Sequence, residues 1–177
     1  MTDLAFAGYR AFDAAPDDPL RLKWLSMDKN TMRSYAVQKS LASVGEFNLG
    51  INREIKFDAV EAESLDAWQS PQQTLTSGHG DCKDYALLKY SLLMHKGIEA
   101  RVVLGGIASL DAPDGRWPHA WCAAFIEGIW YALDNKFDHL ERLPYLNWIP
   151  VAAMHDDQVV RFGREFSMNE MMKGETS

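Results

Sequence analysis

The stretch from Asp81 to Gly97, DCKDYALLKYSLLMHKG, constrains the fold more than any other part of the chain. Asp81 is a natural N-cap, and Asp84, at the N3 position, can complete a capping box. Gly97 suits the left-handed residue that ends a helix. Between them Tyr85, Ala86, Leu88, Tyr90, Leu92 and Leu93 place apolar surface on more than one face. A surface helix carries a single apolar stripe, whereas a helix apolar on several faces needs cover on several sides. The segment therefore predicts a central helix on which other elements pack.

The residues C-terminal to this helix supply a sheet. IEARVVLGG predicts a strand, ASLDAPDGRWP a surface loop, and HAWCAAFIEGIWYALDN two strands joined at Glu127-Gly128. Upstream, Leu20 to Ser43 predicts helix in two pieces around Asp28-Lys29-Asn30. Gly45 and Gly50 argue against one continuous helix through VGEFNLGINREIKF. Residues 57–77, polar and interrupted by Pro71, read as a loop with short turns. Residues 1–19, with APDDP, read as an irregular arm, and about 167–177 as a frayed tail. A length of 177 residues suits one domain, 1–177, with a sizeable core. The expected class is α+β: additional N-terminal helices, then a central helix packed on an antiparallel sheet.

Charge and hydropathy exclude several functions. The net charge of -7 disfavours a nucleic-acid partner, whose binding face would be basic. No apolar run approaches the roughly 18 residues that span a bilayer, so no membrane span is expected. The opening MTDLAFAGYR lacks a basic region followed by an apolar core and does not read as an export signal. With only two cysteines there is no disulfide framework. One bridge, two free thiols or one catalytic thiol all fit that count.

The two cysteines repeat a small pattern, His79-x2-Cys82 and His119-x2-Cys122, which raises the question of zinc. Strand alternation answers it. If residues 119–126 form a strand, His119, Trp121, Ala123 and Phe125 face one way and Ala120, Cys122, Ala124 and Ile126 the other. His119 and Cys122 then cannot share an ion, and zinc is disfavoured. The competing pattern is a nucleophile, a base and an orienting acid. Asp81 as N-cap puts Cys82 in the first helical turn, where the helix dipole and free N–H groups stabilise a thiolate. His119 begins a strand and can be held rigidly. If Glu127-Gly128 is a two-residue turn, Ile126 pairs with Ile129, Ala124 with Tyr131 and Trp121 with Asp134. Asp134 then lies diagonally beside His119 on the same face.

The blocks GDCKDYALLKY, HAW and LDN resemble the three catalytic blocks of the bacterial transglutaminase-like cysteine proteinases, the group of the LapG-type enzymes that trim biofilm adhesins. WQSPQQTLTSGHGDC resembles that family's Trp-x-x-Pro lead-in to the nucleophile, and VGEFNLGINREIKF its upstream helix-and-turn segment. The similarity covers roughly residues 36–136. It implies a papain-like, transglutaminase-type α+β fold, with Cys82 as nucleophile, His119 as base and Asp134 as orienting acid. It also implies a protein or peptide substrate and suggests the periplasm. Trp68, Gln73 and Trp121 are candidates for a second oxyanion contact or a wall of the cleft. Calcium-binding members carry acidic residues on both sides of the nucleophile. Here Asp81 is kept but Lys83 follows, so Asp81 and Asp84, the candidate calcium ligands, are expected to cap the helix instead, and no cofactor is expected.

Overall fold

A computed structural model describes residues 4–6, 8–58, 67–113, 115–143 and 148–164. Its elements, in chain order, are β1 (Tyr9–Asp13), α1 (Pro19–Ser26), α2 (Leu41–Glu54), β2 (Lys56–Phe57), α3 (Pro71–Ser77), β3 (His79–Gly80), α4 (Cys82–His95), β4 (Ala100–Ala108), β5 (Arg116–Ile126), β6 (Ile129–Leu133), β7 (Glu141–Arg142), β8 (Trp148–His155) and β9 (Gln158–Arg164).

Helix α4 is the centre that its sequence demands. Every residue from Lys83 to Leu93 is buried, Asp81 is its N-cap, and Gly97 follows in the left-handed region at φ 67°. The helix packs across β4 and β5 of a seven-stranded sheet, ordered β1-β9-β8-β4-β5-β6-β7 with every pairing antiparallel. Alternation along β5 divides the core in two. Ala120, Cys122, Ala124 and Ile126 join Leu88, Leu92 and Val102 in the layer that includes α4. Trp121 and Ala123 join Val103, Trp130, Trp148 and Phe6 in a second, separate cluster. Each fully buried Leu or Val in such a layer contributes roughly 1.5–3 kcal/mol of transfer free energy.

The β5–β6 hairpin has the expected register: Ile126 opposite Ile129 and Ala124 opposite Tyr131. Its two turn residues, Glu127 and Gly128, both have positive φ, 51° and 85°, which matches the right-handed twist of the strands. Strand β4 likewise overlaps the predicted segment, starting two residues later, at Ala100, and running two residues further, to Ala108.

Elsewhere the local expectations fail in instructive ways. Helix α2 runs unbroken through Gly45 and Gly50. Val44, Phe47, Asn48 and Ile51 are buried at helical spacing, and that packing outweighs the roughly 1 kcal/mol that each glycine costs. Of the two helical pieces expected in Leu20 to Ser43, the first is α1, but the second does not form. The chain from Met27 to Ser40 is tied instead to other elements: Met32 N–H donates to the Gln72 side chain and the Tyr35 hydroxyl to Glu54. The loop expected over 57–77 contains α3, started by Ser70 and Gln73 in a capping box with Pro71 in the first turn. Residues 59–66 of that loop lie outside the described residues.

The irregular arm is also more ordered than expected. Its residues Tyr9–Asp13 are strand β1, paired with β9 at the sheet edge. Asp18 caps α1 and accepts two hydrogen bonds from the Arg161 guanidinium, 2.8 and 2.9 Å, fastening the arm to β9. The expected frayed tail, about 167–177, lies outside the described residues.

Candidate active site

The start of α4 is built by a short parallel pair. Lys56 and Phe57 of β2 lie beside His79 and Gly80 of β3, which delivers the chain to Asp81. The Asp81 carboxylate accepts from the N–H groups of Lys83 and Asp84, 2.7 and 3.4 Å, and from the Lys83 ammonium. The Asp84 carboxylate accepts from Asp81 N–H at 3.0 Å and Gln69 N–H at 2.8 Å. Burial raises the Asp84 carboxyl to about 6, against the lowering effect of those two N–H groups. Gly80 makes this box possible. A Cβ there would lie 2.8 Å from Asp84 Cβ and 3.1 Å from its Oδ2.

The capping set leaves out the Cys82 N–H, and the Cys82 side chain is half-exposed. The other cysteine is fully buried under α4, and burial pushes its thiol up to about 12. Both thiols are free. Cys122 and His119 fall on opposite faces of β5, and His79 sits instead 3.8 Å from Asp58. The four residues of the zinc pattern therefore do not converge.

Cys82, His119 and Asp134 do converge. His119 Nε2 lies 2.6 Å from Asp134 Oδ2, and both side chains are almost fully buried. The other carboxylate oxygen, Oδ1, accepts from Lys136 N–H at 2.7 Å, so the carboxylate cannot rotate freely. With Nε2 committed to Asp134, Nδ1 is the ring nitrogen left to face Cys82, whose side chain is close enough to raise the pKa of the ring. Burial alone would lower the imidazole pKa. The hydrogen bonds and charges of Asp134 and Cys82 more than offset it and raise His119 to about 9. The ring therefore holds its proton through neutral pH, beside a sulfur that solvent reaches.

Aromatic rings fix the imidazole from behind. Trp121 stacks on it at 6.2 Å between centroids, and Trp148 meets it edge-on at 6.3 Å. Trp121 is 1% exposed, with its indole N–H buried and unpartnered. It packs behind His119 and is not positioned as a wall of an open cleft, contrary to one of the roles expected for it. Gln73 is exposed, and its side-chain oxygen accepts Ser70 N–H at 2.7 Å as part of the α3 cap. Trp68 is half-buried against the α4 core, and with Gln69, Gln73, Lys23 and Asp28 it lines a cleft of about 500 Å³.

Three groups beneath the site escaped the sequence reading. Lys89, on α4, is fully buried, and its ammonium donates to Asn48 and Asn52 of α2, each at 2.7 Å. Both asparagines in turn donate to the loop that carries Asp134. A lysine between Leu88 and Tyr90 on a helix with no polar face was the available signal.

The family model of the transglutaminase-like superfamily matches residues 31–135, a span that includes all three converging side chains. No curated protein matches the chain. Among solved structures, LapG from Legionella pneumophila superimposes with a TM-score of 0.55 at 20% identity, covering 73% of this chain and 72% of that one. A calcium-bound form of the same protein gives the same TM-score and identity over 75% of this chain and 78% of that one. An arylamine N-acetyltransferase from Salmonella typhimurium gives 0.51 at 14% identity, over 88% and 68%. At these identities the likeness is one of fold: α+β, transglutaminase-type and papain-like. With more than half its length matched by the family model, the chain belongs to the transglutaminase-like superfamily.

Proposed function

We propose that the chain is a cysteine peptidase that cleaves a peptide or amide bond through a thioester acyl-enzyme. The observation that carries the reading is the convergence of a solvent-reached Cys82 with His119, whose Nε2 is held 2.6 Å from Asp134. Cys82 sulfur attacks the carbonyl carbon, and the Cys82 N–H at the helix start supplies one oxyanion donor. His119 gives its proton to the leaving amine, and the C–N bond breaks. His119 then takes a proton from water as it attacks the thioester, releasing the carboxylic acid and the thiol. Asp134 orients the ring and stabilises its charge.

The chemistry needs no metal. A calcium site wants six to eight oxygen ligands, several of them carboxylates. All four carboxylate oxygens of Asp81 and Asp84 are engaged by N–H or ammonium donors, and the Lys83 ammonium brings its own positive charge. That engagement supports reading both carboxylates as the cap of α4 and not as calcium ligands.

Transfer of the acyl group to an amine instead of water is the second reading, favoured by the family's description. A panel of peptides and unfolded proteins, incubated with wild type and Cys82→Ala with and without a primary amine, separates the two. Cys82-dependent cleavage giving free carboxyl ends supports the peptidase. Amine-capped ends in preference to free ones support the transferase. Absence of any Cys82-dependent product or thioester would leave a binding domain that keeps the fold.

A further inference from the structure

A fully buried lysine is costly, because its ammonium loses its hydration and must be given partners of its own. Lys89 has them. Its Nζ donates to Asn48 Oδ1 and Asn52 Oδ1, both at 2.7 Å, and lies 5.6 Å from the Tyr85 ring centroid. Burial pulls its pKa down to about 7, while Asp134, Cys122 and Asp138 act in the opposite sense. These are the charged and titratable groups that face it, from the Asp134 loop and from β5. Lys89 stands seven residues after Cys82, two turns along the same face of α4.

The chemistry of the partners gives the lysine a task. An ammonium can only donate, so each asparagine must turn its oxygen toward Lys89. That fixes the amide nitrogens on the opposite side. There Asn48 donates to Phe137 carbonyl at 2.9 Å, and Asn52 donates to the carbonyls of Asp134 and Phe137, both at 2.9 Å. Either amide, if flipped, would set an oxygen against a carbonyl oxygen. The clamped loop, Asp134 to Phe137, is the one whose Lys136 N–H holds Asp134 Oδ1 while Oδ2 meets His119.

We propose that Lys89 is a positioning residue of the active site: by setting the amide orientation of Asn48 and Asn52 it fixes the Asp134 loop, and through it the Asp134–His119 hydrogen bond. One helix then carries both the nucleophile and the anchor of the orienting acid. The inference rests on the reading of Cys82, His119 and Asp134 as a triad.

The test uses the full chain and two readouts. One is the low-field proton resonance of the His119–Asp134 hydrogen bond, identified by its loss in Asp134→Asn. The other is the rate of Cys82 alkylation per folded molecule. Lys89→Met removes the donors, and Lys89→Gln keeps a polar tip but can face the asparagines either way. Asn52→Ala, at a partly exposed position, removes the clamp on Asp134 and leaves Lys89 bonded to Asn48, so it serves where a buried substitution prevents folding. The expected result is loss or broadening of the resonance and at least a tenfold slower Cys82 reaction in each folded variant. Folded variants that keep the resonance and the wild-type rate, with only a lower melting temperature, would reduce Lys89 to a structural residue and overturn the inference. A wild type with no His119-dependent Cys82 reaction would overturn the triad and this inference together. A wild type with that reaction, and folded variants unaffected, would sink only the role of Lys89.

Discussion

His119 sets the pH behaviour of the site. Its pKa in the folded chain is raised to about 9, above the ordinary 6.5, so the folded state binds its proton more tightly than the unfolded chain does. The stability it contributes is complete below about pH 6.5 and is lost as pH rises through about 9. In the proposed mechanism the same proton goes to the leaving amine. Denaturation across pH 6 to 10 should therefore show wild type losing more stability than His119→Gln, and the peptide-cleavage rate should fall as pH passes about 9. Asp134→Asn should move that alkaline limb to lower pH, because Asp134 is one of the groups that raise the ring. An alkaline limb unmoved by Asp134→Asn would separate His119 from the rate. Cys82 and Asp134 stand at locally marked places, a helix start and the far end of a hairpin, whereas His119, expected at a strand start, is the fourth residue of β5, because Arg116 to Pro118 of the expected surface loop pair with β4. Lys89, Asn48 and Asn52 were not legible in the sequence. Their meaning depends on α2 crossing α4, with pairs 37 and 41 residues apart.

The elements divide in the same way. Helix α4, strand β4 and the β5–β6 hairpin carry their own caps, turns and periods, and they form as the sequence predicts. Helix α2 does not advertise itself, because its glycines speak against it and only burial of Val44, Phe47 and Ile51 speaks for it. Strands β1 and β9 pair across nearly the whole chain, a nonlocal contact that no local pattern reveals. The start of α4 is the element on which the site depends most, and Gly80 is its tightest point. Gly80→Ala would drive a methyl group into Asp84 at 2.8 Å, against a helix that cannot retreat. The expected cost is about 1–3 kcal/mol of stability, by overpacking and by loss of the Asp81–Asp84 box. Slower Cys82 alkylation should accompany it. Denaturant unfolding and alkylation of Gly80→Ala check both, and a variant with wild-type stability would show that the box has slack the geometry denies it.

At the scale of the whole molecule, the fold brings together Cys82 from the start of a helix, His119 from a strand and Asp134 from the loop that follows the adjacent strand. The chain keeps that arrangement with its own charges: the Lys83 ammonium on Asp81, the Arg161 guanidinium on Asp18, the Lys89 ammonium on the asparagines. Everything proposed for the site therefore depends on a thiol that is reactive because of its imidazole and needs no ion. The most direct measurement is the second-order rate constant for iodoacetamide alkylation of the folded chain near neutral pH, mapped by mass spectrometry, for wild type and His119→Ala, each in chelator and in millimolar Ca²⁺. The expected outcome is label on Cys82 with Cys122 untouched, at least a tenfold slower reaction in His119→Ala, and the same rates with chelator as with calcium. Labelling of Cys122 first, equal rates in the two proteins, or a wild-type rate that collapses in chelator and returns with calcium would refute it.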